Sequence, residues 1–115
     1  MHKLVKISKA LSDETRIRML KLLLDEDICA CEMRKIFPLS LPQLSRNLKM
    51  LMEAGFLKCW RDGKCLVYIA DRDSADDYCR TLMDLLSASY NNSETVLKDR
   101  MKLKQVKANK VRVCC

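Results

Sequence analysis

The sequence predicts a single, mainly α-helical domain that carries one β-hairpin. The chain has 115 residues, of which 49% are hydrophobic and only two are glycine and two are proline. Apolar residues recur at helical spacing along most of the chain, and the period changes to two in residues 57–70. A core of this size is adequate but small, so a partner subunit would help to bury apolar surface.

The first two helices are predicted in the first quarter of the chain. Leu4, Ile7 and Leu11 have helical spacing. Ser12 is the expected N-cap of the second helix, because two acidic residues suited to a helix N-terminus follow it. This helix should run to about Asp25.

The next two helices are short and lie close together in the sequence. Residues 28–37 are expected to form a third helix that Pro38 ends, because a proline disfavours helical geometry in the residue before it. Ser40 and Gln43 have the spacing of a capping box, which predicts the start of a fourth helix. Gly55 is the expected end of that helix.

A hairpin and a last helix follow. Residues 57–70 are expected to form two strands joined at Asp62-Gly63, where glycine allows the positive φ of a tight turn. A last long helix opens at Asp71 or Asp73. Two short helices followed by a hairpin are typical of a winged helix-turn-helix, in which the second helix enters a DNA major groove and the wing reaches the backbone.

The positive charge is concentrated in two segments. The formal net charge is +7, residues 34–64 hold seven basic and two acidic side chains, and residues 98–115 hold seven basic and one acidic. The first segment favours a polyanion such as double-stranded DNA. We therefore expect a DNA-binding and dimerisation domain over residues 1–93 and a basic, flexible tail over residues 94–115.

The fourth helix has side chains suited to reading bases on the face opposite its apolar stripe. Glutamine and asparagine pair with adenine and arginine with guanine, whereas lysine and serine hold phosphates. Any amphipathic helix has a polar outer face, but the adjacent hairpin and the local charge favour DNA. The predicted DNA-contacting residues of the helix and the wing are Gln43, Ser45, Arg46, Asn47, Lys49, Arg61 and Lys64.

The sequence resembles the ArsR/SmtB family of winged-helix metal-sensing repressors over nearly all of residues 3–90. The segments that carry the resemblance are residues 10–16 (ALSDETR), 27–33 (DICACEM), 44–51 (LSRNLKML), 53–55 (EAG) and 61–64 (RDGK). The resemblance implies a homodimer, paired through the first and last helices, that sits on an operator overlapping its own promoter and leaves when a metal or metalloid binds. The operator sequence does not transfer, because Leu41, Pro42 and Asn47 depart from the family's usual recognition helix.

Cys29 and Cys31 are similar to the Cys-x-Cys of the family's arsenic-responsive members. This implies an effector such as As(III) or Sb(III), which thiolates bind well, while DNA binding itself needs no cofactor. Side chains two residues apart on an α-helix differ by about 200° in direction, so both sulfurs reach one ion only if the helix end unwinds. Such a distortion, directly before the recognition helix, is the predicted switch.

A third thiol often lies three residues after this pair in such sensors, but here Arg34 occupies that position. The candidate replacements are the terminal Cys114 and Cys115, Cys79 on the last helix, and Cys59 and Cys65 in the hairpin. The two hairpin cysteines should point to opposite sides of the hairpin, with Trp60 facing Cys65. They and Cys79 are expected to pack as small hydrophobes.

The same residues bear on other functions. His2 is the single histidine, which disfavours the zinc, nickel and cobalt sites of the family. A lead- or cadmium-responsive repressor, and a dithiol redox or persulfide sensor that pairs Cys31 with Cys79 or the tail, stay open. An enzyme such as an arsenate reductase is disfavoured, because the chain has neither a glycine-rich oxyanion loop nor a histidine placed as a base.

The expected compartment is the cytoplasm. The N-terminal residues have no signal peptide, and the apolar runs are too short to span a membrane. In a reducing compartment, seven cysteines are better explained by metal binding, redox sensing or burial than by structural disulfides.

Overall fold

A computed structural model describes residues 1–74 and 76–108 of the chain. The elements follow in the order α1 (His2–Ala10), α2 (Glu14–Leu23), β1 (Ile28–Cys29), α3 (Ala30–Ile36), α4 (Leu41–Ala54), β2 (Leu57–Asp62), β3 (Cys65–Ala70), α5 (Asp77–Ala88) and α6 (Glu94–Ala108). The predicted order of four helices, a hairpin and a helix is confirmed, whereas β1 and α6 were not predicted. Within these residues, no helix has the length and apolar character needed to cross a membrane.

The ends of the helices are fixed by side-chain caps. Asp13, rather than Ser12, caps α2, because its Oδ1 accepts a hydrogen bond from the Thr15 amide at 2.9 Å. The predicted capping box of α4 is confirmed, with Ser40 Oγ accepting from the Gln43 amide and Gln43 Oε1 accepting from the Ser40 amide.

Gly55 sets the end of α4, and Asp76 sets the start of α5. Gly55 ends α4 with a φ of 98°, a left-handed conformation that favours glycine. Asp76, and not the predicted Asp71 or Asp73, caps α5. Its Oδ1 accepts hydrogen bonds from the amides of Tyr78 and Cys79. The error arose because several acidic residues precede the helix and all have the same capping chemistry.

The three strands form one antiparallel sheet in the order β1-β3-β2. Asp62 pairs with Cys65, so the two turn residues of the wing are Gly63 and Lys64, one position later than predicted. Gly63 has a positive φ of 63°, as predicted for a glycine in this tight turn.

This register decides which wing side chains share a face. Trp60 lies opposite Val67, and not opposite Cys65 as predicted. Cys59 pairs with Tyr68, so Cys59 and Cys65 lie on opposite faces of the sheet, as predicted. Strand β1 extends the sheet on the other side of β3 by pairing Cys29 with Val67.

The core lies between α2, α3, α4 and the inner side of the sheet. Leu44, Leu48 and Leu51 are the buried stripe of α4, and Phe37 and Phe56 are among the largest fully buried side chains. Burial of these side chains at about 25 cal/mol per Å² holds α4 against α2 and leaves its other face outward.

Residues 94–108 differ from the predicted flexible tail, because they form α6, which packs on α3 and α2. Val96, Asp99 and Leu103 are its buried residues. The Arg18 guanidinium bonds both carboxylate oxygens of Asp99, at 2.7 and 2.8 Å, and lies 5.0 Å from the Phe37 ring centroid. A carboxylate in the middle of the buried stripe interrupts the apolar period, so the sequence pattern predicts a charged tail.

Candidate nucleic-acid interface and thiol site

Helix α4 is the candidate recognition helix. Its buried stripe faces the core, so Ser45, Arg46 and Lys49 are exposed on the opposite side. Lys49 lies 3.8 Å from Glu53 one turn later, a weak surface ion pair that a DNA phosphate can replace. These three predicted DNA-contacting side chains are therefore on one outward face.

Two other predicted base readers are engaged within the protein. Gln43 Oε1 accepts the capping-box hydrogen bond, which leaves its amide NH2 group outward to donate. Asn47 is half-buried, and its Oδ1 accepts a hydrogen bond from Arg16 Nη1 at 3.0 Å. Arg16 also donates to the carbonyls of Lys9 and Ala10. Asn47 thus joins the recognition helix to Arg16 of α2 and, through Arg16, to the C-terminal end of α1.

The wing brings cations next to the recognition helix. Arg61 and Lys64 are exposed, and they line a cleft of about 260 Å³ together with Ser45 of α4. Sequence reasoning missed Arg34 and Lys35, which are exposed in the last turn of α3 just before the recognition helix. Their position in the basic segment 34–64 is the sequence feature that could have identified them.

Cys29 and Cys31 do not both lie in a helix, which overturns the premise of the predicted unwinding. Cys29 belongs to β1 and is the N-cap of α3, with extended φ and ψ of −83° and 159°, whereas Cys31 lies in the first turn. Both side chains are buried. The 200° difference in direction therefore does not apply, because it holds only for two helical residues.

The two cysteines share one buried cluster with Cys65 and Val67 of the wing strand. We call Cys29, Cys31 and Cys65 the thiol cluster. Cys29 pairs with Val67 across β1 and β3, and Cys65 lies two residues from Val67 on the same face of β3. The sheet register therefore brings the wing cysteine to the predicted pair.

The cysteines were all expected to be reduced, and one of them, Cys65, is not. Cys29, Cys59 and Cys79 are free thiols. Cys65 is disulfide-bonded in this structure. Among residues 1–74 and 76–108, no three His, Cys, Asp or Glu side chains are arranged to hold a metal ion. Cys114 and Cys115, the predicted tail ligands, lie outside the described residues.

Glu32 connects the thiol cluster to α6. Its Oε1 accepts hydrogen bonds from the Cys29 amide at 2.9 Å and from Lys107 Nζ at 3.0 Å. Burial by itself would raise the pKa of the Glu32 carboxyl, but these hydrogen bonds and the Lys107 charge outweigh it and lower that pKa. Lys107 also lies 3.5 Å from Asp27, so one lysine of α6 holds two acids around the start of α3.

The remaining described cysteines occupy structural positions. Cys79 is fully buried, its Sγ donates to the Ala54 carbonyl oxygen at 3.1 Å, and burial raises its pKa to about 11. Cys59 is half-buried and packs against the core from β2. Both agree with the predicted packing as small hydrophobes.

The helix-turn-helix, the wing and the outward cations define a class of proteins, the winged helix-turn-helix regulators of transcription. Residues 13–58 match the model of the arsR family of bacterial regulatory proteins. The arsenic resistance transcriptional regulator ArsR2 of Pseudomonas putida is 31% identical over 112 residues, which cover 95% of each chain. The chain therefore belongs to the arsR family of bacterial regulatory proteins.

Two further comparisons agree with this assignment. The arsenic resistance transcriptional regulator ArsR1 of Pseudomonas putida is 41% identical over 63 residues, 54% of this chain and 49% of that protein, so the match spans about half of its length. The structure of reduced HlyU from Vibrio cholerae superposes with a TM-score of 0.64 at 26% identity, covering 78% of this chain and 90% of that one. The two Pseudomonas putida relatives are named as transcriptional regulators, and regulators of this kind are not enzymes.

Proposed function

We propose that the protein is a homodimeric repressor that leaves its operator when trivalent arsenic or antimony binds the thiolates of Cys29 and Cys31. The observation that carries this proposal is the burial of both cysteines in one cluster at the start of α3, the helix that precedes the recognition helix. Only four residues, 37–40, separate α3 from α4.

Operator binding is assigned to the outward face of α4 and to the wing. Ser45, Arg46 and Lys49 are exposed on the helix, and Arg61 and Lys64 are exposed beside it. Arginine and the Gln43 amide supply base contacts, whereas lysines and the wing supply phosphate contacts. The affinity should therefore fall steeply with salt, as expected when cations displace counterions from DNA.

Release is assigned to a change at the start of α3. Bonding of Cys29 to a soft centre would pull on the α3 cap, where the Glu32 carboxylate accepts from the Cys29 amide. Movement of α3 would then displace α4, which begins only four residues after α3 ends. An allosteric coupling of about 1–3 kcal/mol corresponds to roughly 5–150-fold in operator affinity.

The test is fluorescence anisotropy of a labelled DNA fragment from upstream of the protein's own gene. Arsenite and antimonite should release the wild-type protein but neither Cys29→Ser nor Cys31→Ser. Cys59→Ser, which alters a cysteine on the other face of the wing, is the matched control and should respond as the wild type does. Release of both Cys29→Ser and Cys31→Ser by arsenite would overturn the proposed sensor site.

The same assay tests the tail and the choice of effector. If Cys114 or Cys115 supplies a third sulfur, the doubly substituted protein Cys114→Ser/Cys115→Ser should lose its response to arsenite and keep its response to a methylated arsenical. Release by cadmium or lead but not by arsenite would replace the metalloid with a divalent effector of the same thiolate chemistry.

A redox sensor of the same fold is the second candidate, because Cys65 is disulfide-bonded in this structure. In such a sensor, Cys79 would not be the cysteine that pairs with Cys65. The raised pKa of Cys79 and its hydrogen bond to the Ala54 carbonyl oxygen make it a poor nucleophile. For this candidate, oxidation without any metalloid should change operator affinity, and dithiothreitol should restore it. An operator affinity that is equal in the oxidised and reduced proteins would exclude it.

A further inference from the structure

The Arg16 side chain joins the end of α1 to the recognition helix. Its Nε donates to the Ala10 carbonyl oxygen at 2.8 Å and its Nη2 to the Lys9 carbonyl oxygen at 3.0 Å. Both carbonyls lie in the last turn of α1, where a carbonyl has no partner within the helix itself. Its Nη1 donates to Asn47 Oδ1 of α4 at 3.0 Å. One guanidinium group therefore bonds both helices.

The Arg16 guanidinium is held in one position by its own contacts. Its Nη1 also donates to Asp13 Oδ2 at 3.1 Å, so four of the five N–H donors of this planar group are engaged. The side chain is only 11% exposed, and water therefore competes little for these bonds. A movement of α1 is thus transmitted through Arg16 to Asn47.

The chemistry of arginine fixes the orientation of the Asn47 amide. A guanidinium has donors only, so the atom of Asn47 that faces Arg16 is the oxygen. Bidentate pairing of asparagine with adenine needs the same oxygen to accept a hydrogen bond from the base. Because Asn47 is half-buried and its oxygen bonds Arg16, its side chain is better suited to holding α4 in place than to reading a base.

Helix α1 connects the recognition helix to the expected partner subunit. Its buried residues are Ile7 and Ala10, and it packs on α4. Leu4 and Val5 are exposed on it, and α1 is one of the two helices through which the proposed homodimer pairs. The Arg16 link therefore ties each recognition helix to the helix next to the two-fold axis.

We infer that Asn47 is a positioning residue, which through Arg16 fixes the angle of the recognition helix to the dimer axis and so the half-site spacing that the protein accepts. The inference rests on the homodimeric operator binding of the proposed function, but not on its effector. One extra base pair between two half-sites moves the second by about 3.4 Å and rotates it by about 35°. A rigidly held recognition helix cannot follow this change, whereas a loosened one follows it in part.

The test measures how strongly the protein discriminates between operator spacings. The probe is the labelled DNA fragment from upstream of the protein's own gene, in which footprinting locates the protected region. Fluorescence anisotropy gives the Kd for this fragment and for one with a single base pair inserted at the centre of that region. We call the second Kd divided by the first the spacing ratio.

The spacing ratio of the wild type should be about a hundred, because avidity is lost when the geometry prevents both subunits from binding at once. Asn47→Leu removes the acceptor for Arg16, so its spacing ratio should fall several-fold. Asn47→Asp keeps an acceptor, so its ratio should equal that of the wild type although its negative charge weakens binding to both fragments.

Two further variants complete the test. Arg16→Lys keeps the charge but loses the planar fork, so it should lower the ratio as Asn47→Leu does, and the double variant should lower it no further. Arg100→Lys is the matched control. Arg100 of α6 likewise bonds an aspartate and an asparagine, Asp25 and Asn91, but neither belongs to α1 or α4. Its spacing ratio should therefore equal that of the wild type.

The outcomes separate this inference from the proposed function. A spacing ratio of Asn47→Leu and Arg16→Lys within about twofold of the wild-type value would overturn the inference, since equal weakening on both fragments indicates a base contact and a lower Tm alone indicates a structural role. A wild-type protein that is indifferent to the insertion would overturn it as well. If arsenite does not release the wild type but both variants lower the ratio, the proposed effector is wrong and the inference stands. Circular dichroism melting shows whether each variant is folded at the assay temperature, and Arg16→Lys decides the question if Asn47→Leu is not.

Discussion

Cys79 and Cys59 show how burial decides the reactivity of a thiol. The pKa of Cys79 is raised to about 11, chiefly by burial, and its Sγ donates to the Ala54 carbonyl oxygen. At pH 8 such a group is roughly one part in a thousand thiolate, and the thiolate is the species that reacts. Cys59 is only half-buried.

We expect Cys79 to resist alkylation in the native protein at pH 8, while Cys59 reacts. The measurement is iodoacetamide labelling over time, with peptide mass spectrometry to assign each cysteine. In urea both cysteines should label at similar rates, which is the control for intrinsic reactivity. Native labelling of Cys79 as fast as that of Cys59 would contradict the assigned burial.

Individual residues also show which parts of the candidate site could be predicted from the sequence and which could not. The outward face of α4 follows from the period of its leucines, so Ser45, Arg46 and Lys49 could be predicted. The engagement of Asn47 with Arg16 could not, because it depends on a contact between residues 31 positions apart. The proximity of Cys65 to Cys29 likewise depends on the register of β1 with β3.

At the scale of elements, Lys107 is the link between α6 and the start of α3. Its ammonium group donates to Glu32 and lies near Asp27. Because the folded protein holds the pKa of Glu32 below its ordinary value of 4.5, the ionised carboxylate stabilises the fold. This contribution is complete above the ordinary pKa and is lost as the pH falls through the lowered one.

Lys107→Gln should therefore destabilise the protein by about 1 kcal/mol at pH 7, as expected for a partly exposed charged hydrogen bond. The difference from the wild type should shrink as the pH falls through the lowered pKa of Glu32, because the carboxyl group is then protonated and no longer pairs with Lys107. Urea unfolding at several pH values measures this. Lys98→Gln, which removes an exposed ion pair with Glu94 on the same helix, should change stability little. A difference that stays constant with pH would exclude Glu32 as the partner.

The elements differ in how far the sequence could predict them. Helices α2 and α4 have caps and an unbroken apolar period, so their existence and approximate ends were predictable. Strand β1 has only two residues, too few for a period, and it forms because β3 offers an edge to pair with. Helix α6 escaped prediction because buried Asp99 depends on Arg18, which lies 81 residues away.

At the scale of the whole molecule, α1 and α5 leave apolar side chains unburied. Only Cys79 and Met83 of α5 are buried, while Tyr78, Leu85 and the following Tyr90 are exposed. Leu4 and Val5 of α1 are exposed as well. Exposed apolar surface of this kind marks an interaction site, and a second copy of the chain would give two recognition helices related by a two-fold axis.

Leu85→Glu should therefore convert a dimer into a monomer, because a carboxylate would be buried without a partner in the dimer interface. Leu85 is 64% exposed in the single chain, so its replacement spares the core. Leu97→Glu on α6 is the matched control, since Leu97 is 51% exposed. The predicted last helix, through which pairing is expected, corresponds to α5 and not to α6. Sedimentation equilibrium should give a dimer for the wild type and the control and a monomer for Leu85→Glu.

Loss of the dimer should also weaken operator binding. Two recognition helices bind half-sites about 34 Å apart, one turn of DNA, and their affinities combine only while the subunits stay together. Leu85→Glu should thus bind the operator at least a hundredfold more weakly, while its circular dichroism spectrum and its binding to nonspecific DNA at low salt change little. If the Leu85→Glu protein is monomeric and binds the operator with wild-type affinity, one winged helix suffices for binding. If the Leu85→Glu protein is still a dimer, the dimer interface lies elsewhere.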